Sequence, residues 1–149
     1  MLGQILIGAL LVLATVPIHG GGMAVGLRWL GYSRSRQGLL SAPIRQSVVL
    51  GVLVLIMFVA TILEATLWAF AYERLAAMPT FEEALYFSLV TYTTVGYGDI
   101  VLPQHWRLLS SIQAANGVII FGWTTAVILG GLRMISGDRA EPEQSDQRS

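Results

Sequence analysis

A seven-residue stretch at positions 93–99 carries the residue types in this chain that suit ion binding. It reads TTVGYGD, with Gly96 and Gly98 at alternate positions among hydroxyl residues, an aromatic ring and a carboxylate. Glycine adopts positive φ at little steric cost, so this alternation allows successive carbonyl groups to point the same way. A row of inward-facing carbonyl oxygens can replace the hydration shell of a bare cation. We therefore expect the backbone of this stretch to bind a dehydrated cation.

The residues just before this stretch predict a short helix that positions it. Thr80 can cap the free N–H groups, and Glu83 three residues on completes a capping box. We expect the helix at residues 81–93, about 20 Å long at 1.5 Å per residue. That is too short for a bilayer core of roughly 30 Å, so the helix is re-entrant and must be surrounded by protein. Its C-terminus, the negative end of the helix dipole, then points at the membrane centre and favours a cation there.

The composition indicates a membrane protein. Of the 149 residues, 54% are hydrophobic and 12% are charged, and the mean hydropathy is +0.65. The formal net charge is zero, so nothing points to nucleic acid as a partner. Cysteine is absent, which excludes disulfides and thiolate metal sites. The sequence shows no nucleophile–base pair, metal-ligand cluster or phosphate-binding loop, so we expect neither an enzyme nor a cofactor.

Three apolar runs, at residues 1–18, 48–71 and 108–134, predict membrane-spanning helices. The first apolar run is near the lower length limit for a membrane-spanning helix, and the alternative interpretation of this run is a secretory signal peptide. Against a signal peptide, no Arg or Lys precedes the run and no small-residue cleavage site follows it. We expect Pro17 and the three glycines after His19 to end this helix, because both residue types weaken a helix interior. His19 is then expected at the membrane interface.

The distribution of arginine predicts the topology. All nine basic residues are Arg; two of them, Arg74 and Arg107, flank the short helix. The other seven lie in the loop at 19–47, at the end of the third span or beyond it. Positive residues favour the cytoplasmic side, so we expect three spans with the N-terminus outside and the C-terminus inside, in the plasma membrane (the inner membrane of a bacterium). The loop is expected to hold an interfacial helix near its start, and binding of anionic lipid headgroups is a second role for its Arg residues. The polar tail at 135–149 is expected to be disordered.

The outer mouth is expected to be negative. Glu73, Glu82, Glu83 and Asp99 lie on that side against the two Arg residues, and a negative field raises the local cation concentration.

The order of these elements resembles the potassium-channel pore family. An apolar span, a capped short helix, the sequence TVGYG and a further apolar span follow one another over residues 48–134, as in the bacterial two-transmembrane channels, with an extra N-terminal helix here. The resemblance implies an all-α membrane protein with three transmembrane helices, a re-entrant pore helix and a filter loop at 94–99. Eight oxygens around an ion require four copies of a single motif, so the partners are three further copies in a C4 homotetramer, and membrane lipids. The residues implied to coordinate K⁺ are Thr94, Val95, Gly96 and Tyr97.

The resemblance also implies which residues support the filter. Family members hold the filter tyrosine with aromatic residues of the pore helix, and Tyr86 and Phe87 occupy those places. Tyr86 is expected to hydrogen-bond Asp99. Phe87 lacks a donor, so Thr91 is the candidate partner for the Tyr97 hydroxyl. Some members place a glutamate behind the filter where this chain has a valine, and inactivation that depends on that glutamate is not transferable. The support set is therefore Gly98, Asp99, Tyr86 and Thr91.

Three residues of the last span match the family's cavity and gate. Gly117 falls at the hinge glycine, Phe121 begins a phenylalanine–glycine pair, and Thr125 falls at a cavity-lining position. A glycine costs a helix about 1 kcal/mol relative to alanine and is a weak point for bending. Small residues also permit close helix packing in membranes. Hinge and packing both remain open for Gly117.

Glu64 is the one charged residue in the second span. It lies near the outer boundary, where a charge costs less than at the bilayer centre but still requires a partner. We expect it to face the protein behind the pore helix and to be hydrogen-bonded; contact with a lipid headgroup is the alternative. Trp68 and Tyr72, further along, are expected in the outer aromatic belt.

These features favour a K⁺-selective channel that conducts passively. The alternatives are a weakly selective cation channel, against which Tyr97 argues, and a non-conducting scaffold or regulatory subunit that retains the pore fold. No span has Arg at every third position, so no voltage sensor of the usual kind is expected. The gating stimulus stays open, with the extra first helix as the regulatory candidate.

Overall fold

The computed structural model describes residues 1–35 and 42–136, and these residues form an all-α fold. The four α-helices are α1 (Leu2–Ser35), α2 (Ala42–Arg74), α3 (Phe81–Tyr92) and α4 (Arg107–Ser136). A short 3-10 turn at Gln104–Trp106 precedes α4, and the described ranges contain no strand. The predicted class, an all-α membrane protein, is confirmed.

Three of these helices are long and apolar enough to cross a membrane. The apolar segments are Leu2–Ser33, Pro43–Arg74 and Gln104–Arg133. Helix α3 has 12 residues, about 18 Å at 1.5 Å per residue, and is too short to cross. Helices α2 and α4 begin earlier and end later than the apolar runs predict, because polar residues at the ends of the runs continue the helices. The tail at 137–149 lies outside the described residues.

Helix α1 continues well past its predicted end. Pro17 lies inside the helix, which runs to Ser35, so the prediction of a helix ending at 18 and an interhelical linker starting at 19 is wrong. Packing against α2 explains the difference: a methyl group on Gly22 would lie 3.0 Å from Ala60 Cβ, and one on Gly26 would lie 2.6 Å from a Leu53 methyl carbon. Glycines that bring two helices this close stabilise the pair, and neighbouring helices offset the cost of proline in a membrane helix.

The contacts of α1 fix its direction relative to the other helices. Near its start the Gln4 side chain donates a hydrogen bond to the carbonyl of His105, next to the first turn of α4. Near its end Leu30 approaches Gly131 of α4. Helix α1 therefore runs parallel to α4, and the N-terminal end of the chain lies at the same end of the molecule as the loop before α4.

Helix α3 begins where the sequence predicts. The Thr80 side chain accepts a hydrogen bond of 3.2 Å from the Glu83 backbone N–H, and the Thr80 backbone is extended, as an N-cap requires. The α3 helix packs between α2 and α4, and the largest cluster of buried apolar residues lies where these three helices meet. Trp68 and Tyr72 are fully buried in this cluster. The aromatic-belt prediction for these two residues is wrong, because α3 covers the face of α2 that carries them.

Candidate ion-binding filter

The loop after α3 folds back along the C-terminal end of that helix. The helix ends at Tyr92, with Thr93 as its C-cap. The Thr94 N–H donates to the carbonyl of Thr91 at 3.0 Å, and the Gly96 N–H donates to the carbonyl of Val90 at 3.2 Å. These bonds satisfy carbonyl groups that a helix leaves unpaired at its C-terminus. The loop is therefore attached directly to the negative end of the helix dipole.

Three alternate residues of this loop have positive φ. The φ angles are +61° at Thr94, +54° at Gly96 and +76° at Gly98. Glycine takes this conformation freely, whereas a threonine in it costs of order 1–3 kcal/mol. Val95 and Tyr97, which lie between these positions, are not in the left-handed region. This alternation permits successive carbonyl groups to point to one side of the loop, and coordination of an ion by them stays a prediction.

The apolar and aromatic side chains of the loop are exposed in the single chain. Val95 is 52% exposed and Tyr97 is 72% exposed in the single chain. Thr91 lines a cavity of about 180 Å³ beside the loop, together with Tyr86 and Val90. Among the described residues, no hydrogen bond joins the Tyr97 hydroxyl to Thr91, so the structure does not bring this predicted pair together within one chain.

A hydrogen bond holds the outer end of the loop. The Tyr86 hydroxyl donates to Asp99 Oδ2 at 2.6 Å, as expected from the sequence, and the Ile100 N–H donates to the other carboxylate oxygen at 3.0 Å. The hydrogen bond from Tyr86 lowers the pKa of Asp99 below its ordinary value. The same bond raises the pKa of Tyr86. Asp99 is therefore ionised at neutral pH and adds negative charge to this end of the loop.

Removing the Tyr86 hydroxyl is expected to raise the pKa of Asp99 toward its ordinary value of 3.8. The pKa of Asp99 is lower in the folded state than its ordinary value. The hydrogen bond therefore stabilises the fold at pH values above the ordinary pKa, and this stabilisation is lost as the pH falls through the lower pKa of the folded state. A ¹³C NMR acid titration of the Asp99 carboxyl in the Tyr86→Phe variant measures the shift. Tyr32→Phe, the same change on α1, serves as the control. An unchanged Asp99 midpoint in Tyr86→Phe would contradict the bond.

A buried chain of hydrogen bonds joins α2, α3 and α4 behind the loop. The Tyr72 hydroxyl donates to Gln113 Oε1 at 2.7 Å, and Gln113 Nε2 donates to Ser88 Oγ at 2.6 Å. Ser88 in turn donates to the carbonyl of Ala65 at 2.6 Å. All partners are buried, so this chain fixes the rotation of α3 between α2 and α4. This chain of hydrogen bonds was not predicted; its signal in the sequence is the polar Gln113 within an apolar span.

Glu64 is fully buried and hydrogen-bonded, as predicted. Its Oε1 lies 3.0 Å from His19 Nδ1, and both side chains have 0% exposure. Its Oε2 accepts a hydrogen bond of 2.7 Å from the Tyr92 hydroxyl. The alternative, a lipid-headgroup contact, is wrong for Glu64. The interfacial position expected for His19 is also wrong, because α1 continues and buries this side chain against α2 and α4.

Gly117 is in close contact with the end of α3. A methyl group at this position would lie 2.0 Å from the Tyr92 carbonyl oxygen and 2.9 Å from its carbon. Of the two roles left open by the sequence, this contact supports close packing, and a hinge stays a prediction. Further along α4, the exposed Thr125 donates to the carbonyl of Phe121 at 2.8 Å. These two residues lie one and two turns beyond Gly117, away from the loop.

The loop, the short helix aimed at it and the flanking long helices define a membrane pore domain. A family model described as an ion channel matches residues 51–132, which is more than half of the chain. The chain therefore belongs to this ion-channel family and is not an enzyme. The match begins within α2, so α1 lies outside it. No solved structure matches the chain significantly.

The chain is also similar to proteins that are named potassium channels. The chain is 30% identical over 125 residues to the potassium voltage-gated channel subfamily A member 2 of Xenopus laevis, covering 82% of this chain and 23% of the relative. It is 29% identical over 124 residues to subfamily A member 6 of Homo sapiens, covering 77% of this chain and 23% of the relative. The chain thus spans less than a quarter of the length of these relatives.

Proposed function

We propose that this protein is a K⁺-selective channel that conducts passively through a filter made by residues 94–97. The observation that carries the proposal is the alternation of positive φ at Thr94, Gly96 and Gly98, directly after the C-terminus of α3. A backbone of this kind presents consecutive oxygens to a dehydrated K⁺ ion. The names of the two relatives, both potassium channels, support K⁺ as the permeant ion.

A C4 homotetramer completes the site in this proposal. Each chain contributes the carbonyl oxygens of Thr94, Val95, Gly96 and Tyr97 and the Thr94 hydroxyl, and four chains surround the ion. Large apolar side chains of α4 support such an assembly, because Val118 is 59% and Ile119 is 66% exposed in the single chain. In the tetramer, Phe121 and Thr125 contribute to the cavity below the filter. No cofactor takes part, and K⁺ is the permeant ion.

Charge at both ends of the filter favours cations. The C-terminal dipole of α3 lies at its inner end. At its outer end, Asp99 and the two acidic residues of the first turn of α3, Glu82 and Glu83, concentrate cations at the mouth. The proposed orientation has the N-terminus outside and the C-terminus in the cytoplasm of the cell. The shared position of the chain's N-terminal end and the loop before α4 supports this orientation.

Flux into liposomes tests the function. The purified protein is reconstituted into vesicles loaded with K⁺, and uptake of ⁸⁶Rb⁺ is compared with uptake of ²²Na⁺; empty vesicles are the control. A K⁺-selective channel gives ⁸⁶Rb⁺ uptake with ²²Na⁺ near background. Comparable uptake of both ions would indicate a weakly selective cation channel. No uptake of either ion would indicate a scaffold, and both of these outcomes reject the proposal.

Replacing Tyr97 with aspartate is expected to relax selectivity. The change removes the ring that holds the loop extended and adds a carboxylate at the filter, so the carbonyl spacing is no longer fixed for K⁺. We expect the ratio of Rb⁺ to Na⁺ uptake to fall at least about tenfold, equivalent to about 1.4 kcal/mol. Tyr97→Phe keeps the ring and is the matched control. An unchanged ratio in Tyr97→Asp would contradict the role of this residue.

A further inference from the structure

A buried cluster of polar side chains joins α1 to the residue that precedes the filter. His19 of α1, Glu64 of α2 and Tyr92 of α3 each have 0% exposure. His19 Nδ1 lies 3.0 Å from Glu64 Oε1, and the Tyr92 hydroxyl donates to Glu64 Oε2 at 2.7 Å. Buried polar groups of this kind are expensive in a membrane and commonly have a function. Neither the packing of the pore nor the proposed conduction requires a histidine here.

Helix α4 covers the rest of the cluster with uncharged side chains. Thr124 Oγ1 lies 3.4 Å from His19 Nε2, and the Trp123 ring stacks on the imidazole with 5.5 Å between centroids. Asn116 Nδ2 lies 3.5 Å from the Tyr92 hydroxyl oxygen. The titratable groups facing His19 are therefore Glu64 from α2 and, beyond it, Tyr92 from α3. Within the described ranges, the His19–Glu64 contact is the sole ion pair, so no Arg neutralises it.

The hydrogen-bond partners of His19 and Glu64 limit where protons can lie on these two side chains. For the pair without net charge, we assign one proton to His19 Nε2, toward Thr124, and one shared between Nδ1 and Glu64 Oε1. Glu64 Oε2 is then free to accept from Tyr92. The basic atom left for an additional proton is this same Oε2. A proton there turns this oxygen into a donor toward the Tyr92 hydroxyl oxygen, which Asn116 Nδ2 also approaches. The Tyr92 O–H then gives up Glu64 as its acceptor, and a positive charge is left in a buried site.

Tyr92 connects this cluster to the filter. It is the last residue of α3, and its carbonyl oxygen is pressed against Gly117 of α4. Thr94, two residues further on, has the strained φ of +61° and begins the proposed ion site. The Tyr92–Glu64 hydrogen bond is one of the contacts that hold the end of α3. A change in this bond therefore weakens the support of the inner end of the proposed filter.

We propose that the His19–Glu64 pair makes conduction proton-dependent: uptake of one proton reverses the Tyr92–Glu64 hydrogen bond, weakens the hold on the end of α3 and closes the filter. This inference rests on the proposed K⁺ conduction and gives α1 a regulatory role, since α1 supplies the histidine. The pair contains a histidine, the side chain whose ordinary charge change lies between about pH 5 and 8, so we expect the pair as a unit to take up its additional proton in this range. Acidification in this range lowers the flux, because the added proton weakens the contact of Tyr92 with Glu64 that supports the inner end of the filter.

Flux at different pH values tests the proposal. ⁸⁶Rb⁺ uptake is measured from pH 8 to pH 5 with the same buffer on both sides. We expect a single-proton decline, approaching about tenfold per pH unit below its midpoint. Glu64→Gln keeps an acceptor for Tyr92 and a donor for His19 but cannot titrate, so its flux is expected to be independent of pH. His19→Gln is expected to lose the decline as well, whereas His105→Gln, the same change at the exposed second histidine, is expected to retain it.

An infrared measurement follows the proton independently of conduction. The difference spectrum between pH 8 and pH 5 is expected to show a change in the carboxylic-acid C=O band, because the new proton on Oε2 alters the Glu64 carboxyl. The band is expected to be absent in Glu64→Gln and present in His105→Gln. Surface carboxyl groups contribute equally to all three spectra and cancel in the comparison.

The outcomes are distinct. A pH-dependent flux and the infrared band, both lost in Glu64→Gln, support the proposal. A flux that is present but independent of pH overturns it, as does a decline that Glu64→Gln retains. Absence of the band in the unaltered protein also overturns it, even where Glu64→Gln fails to fold. Absence of flux at every pH in the unaltered protein rejects the proposed channel function instead.

Discussion

Replacing Gly96 with alanine is expected to reduce K⁺ flux to the background of empty vesicles. Gly96 has a φ of +54°, which costs an L-residue with a Cβ about 1–2 kcal/mol, and the proposed tetramer would carry this cost four times. The surrounding chain offers no clash, since nothing lies within 4 Å of the new methyl group. The effect therefore arises from the backbone angle: relief of the strain turns the adjacent carbonyl groups away from the ion.

The matched control for this variant is Gly21→Ala. Gly21 also has no neighbour within 4 Å of an added methyl group, but it lies in a helix without positive φ. ⁸⁶Rb⁺ uptake should be retained there and lost in Gly96→Ala, with both proteins eluting from size-exclusion chromatography like the unaltered protein. Selective K⁺ flux through Gly96→Ala would reject the carbonyl filter.

Replacing Gly117 with alanine is expected to give the largest loss of stability among single methyl additions to this chain. The new methyl group would lie 2.0 Å from the Tyr92 carbonyl oxygen, which is backbone and cannot rotate away. Overpacking of this kind typically costs about 1–3 kcal/mol, and more where backbone must move. The forced separation of α3 from α4 also displaces the residues that lead into the filter. We expect a lower thermal unfolding temperature in detergent and a strongly reduced flux.

Gly130→Ala, in the same helix, is the matched control. It shows the effect on stability of adding a methyl group to α4 where no clash occurs. Nothing lies within 4 Å of a methyl group at Gly130, so its unfolding temperature should match or exceed that of the unaltered protein. Circular dichroism during heating measures both variants. Equal unfolding temperatures for Gly117→Ala and Gly130→Ala would contradict the close packing of α4 on Tyr92.

The positive φ angles of Gly96 and Gly98 in the proposed filter could be predicted from the sequence because they depend on local residue types. Two glycines at alternate positions permit the left-handed angles, and the Thr80 cap fixes where the preceding helix begins. The Tyr86–Asp99 hydrogen bond was also predictable, since both residues lie close to the filter along the chain. Local rules failed for α1. Proline and consecutive glycines predict a helix end, but close contacts of Gly22 and Gly26 with α2 stabilise the helix through this region.

The sequence by itself determined the apolar helices, the capped pore helix and the glycine pattern of the loop, because each depends on residues near one another in the chain. Tertiary structure alone decided which distant side chains meet. His19 and Glu64 are 45 positions apart, and only the antiparallel packing of α1 on α2 brings them together. The contact of Gly117 with Tyr92 likewise depends on how α4 crosses the end of α3. Hydrophobic patterning limits which face of a helix is buried, whereas the relative rotation and depth of two helices depend on packing at specific positions.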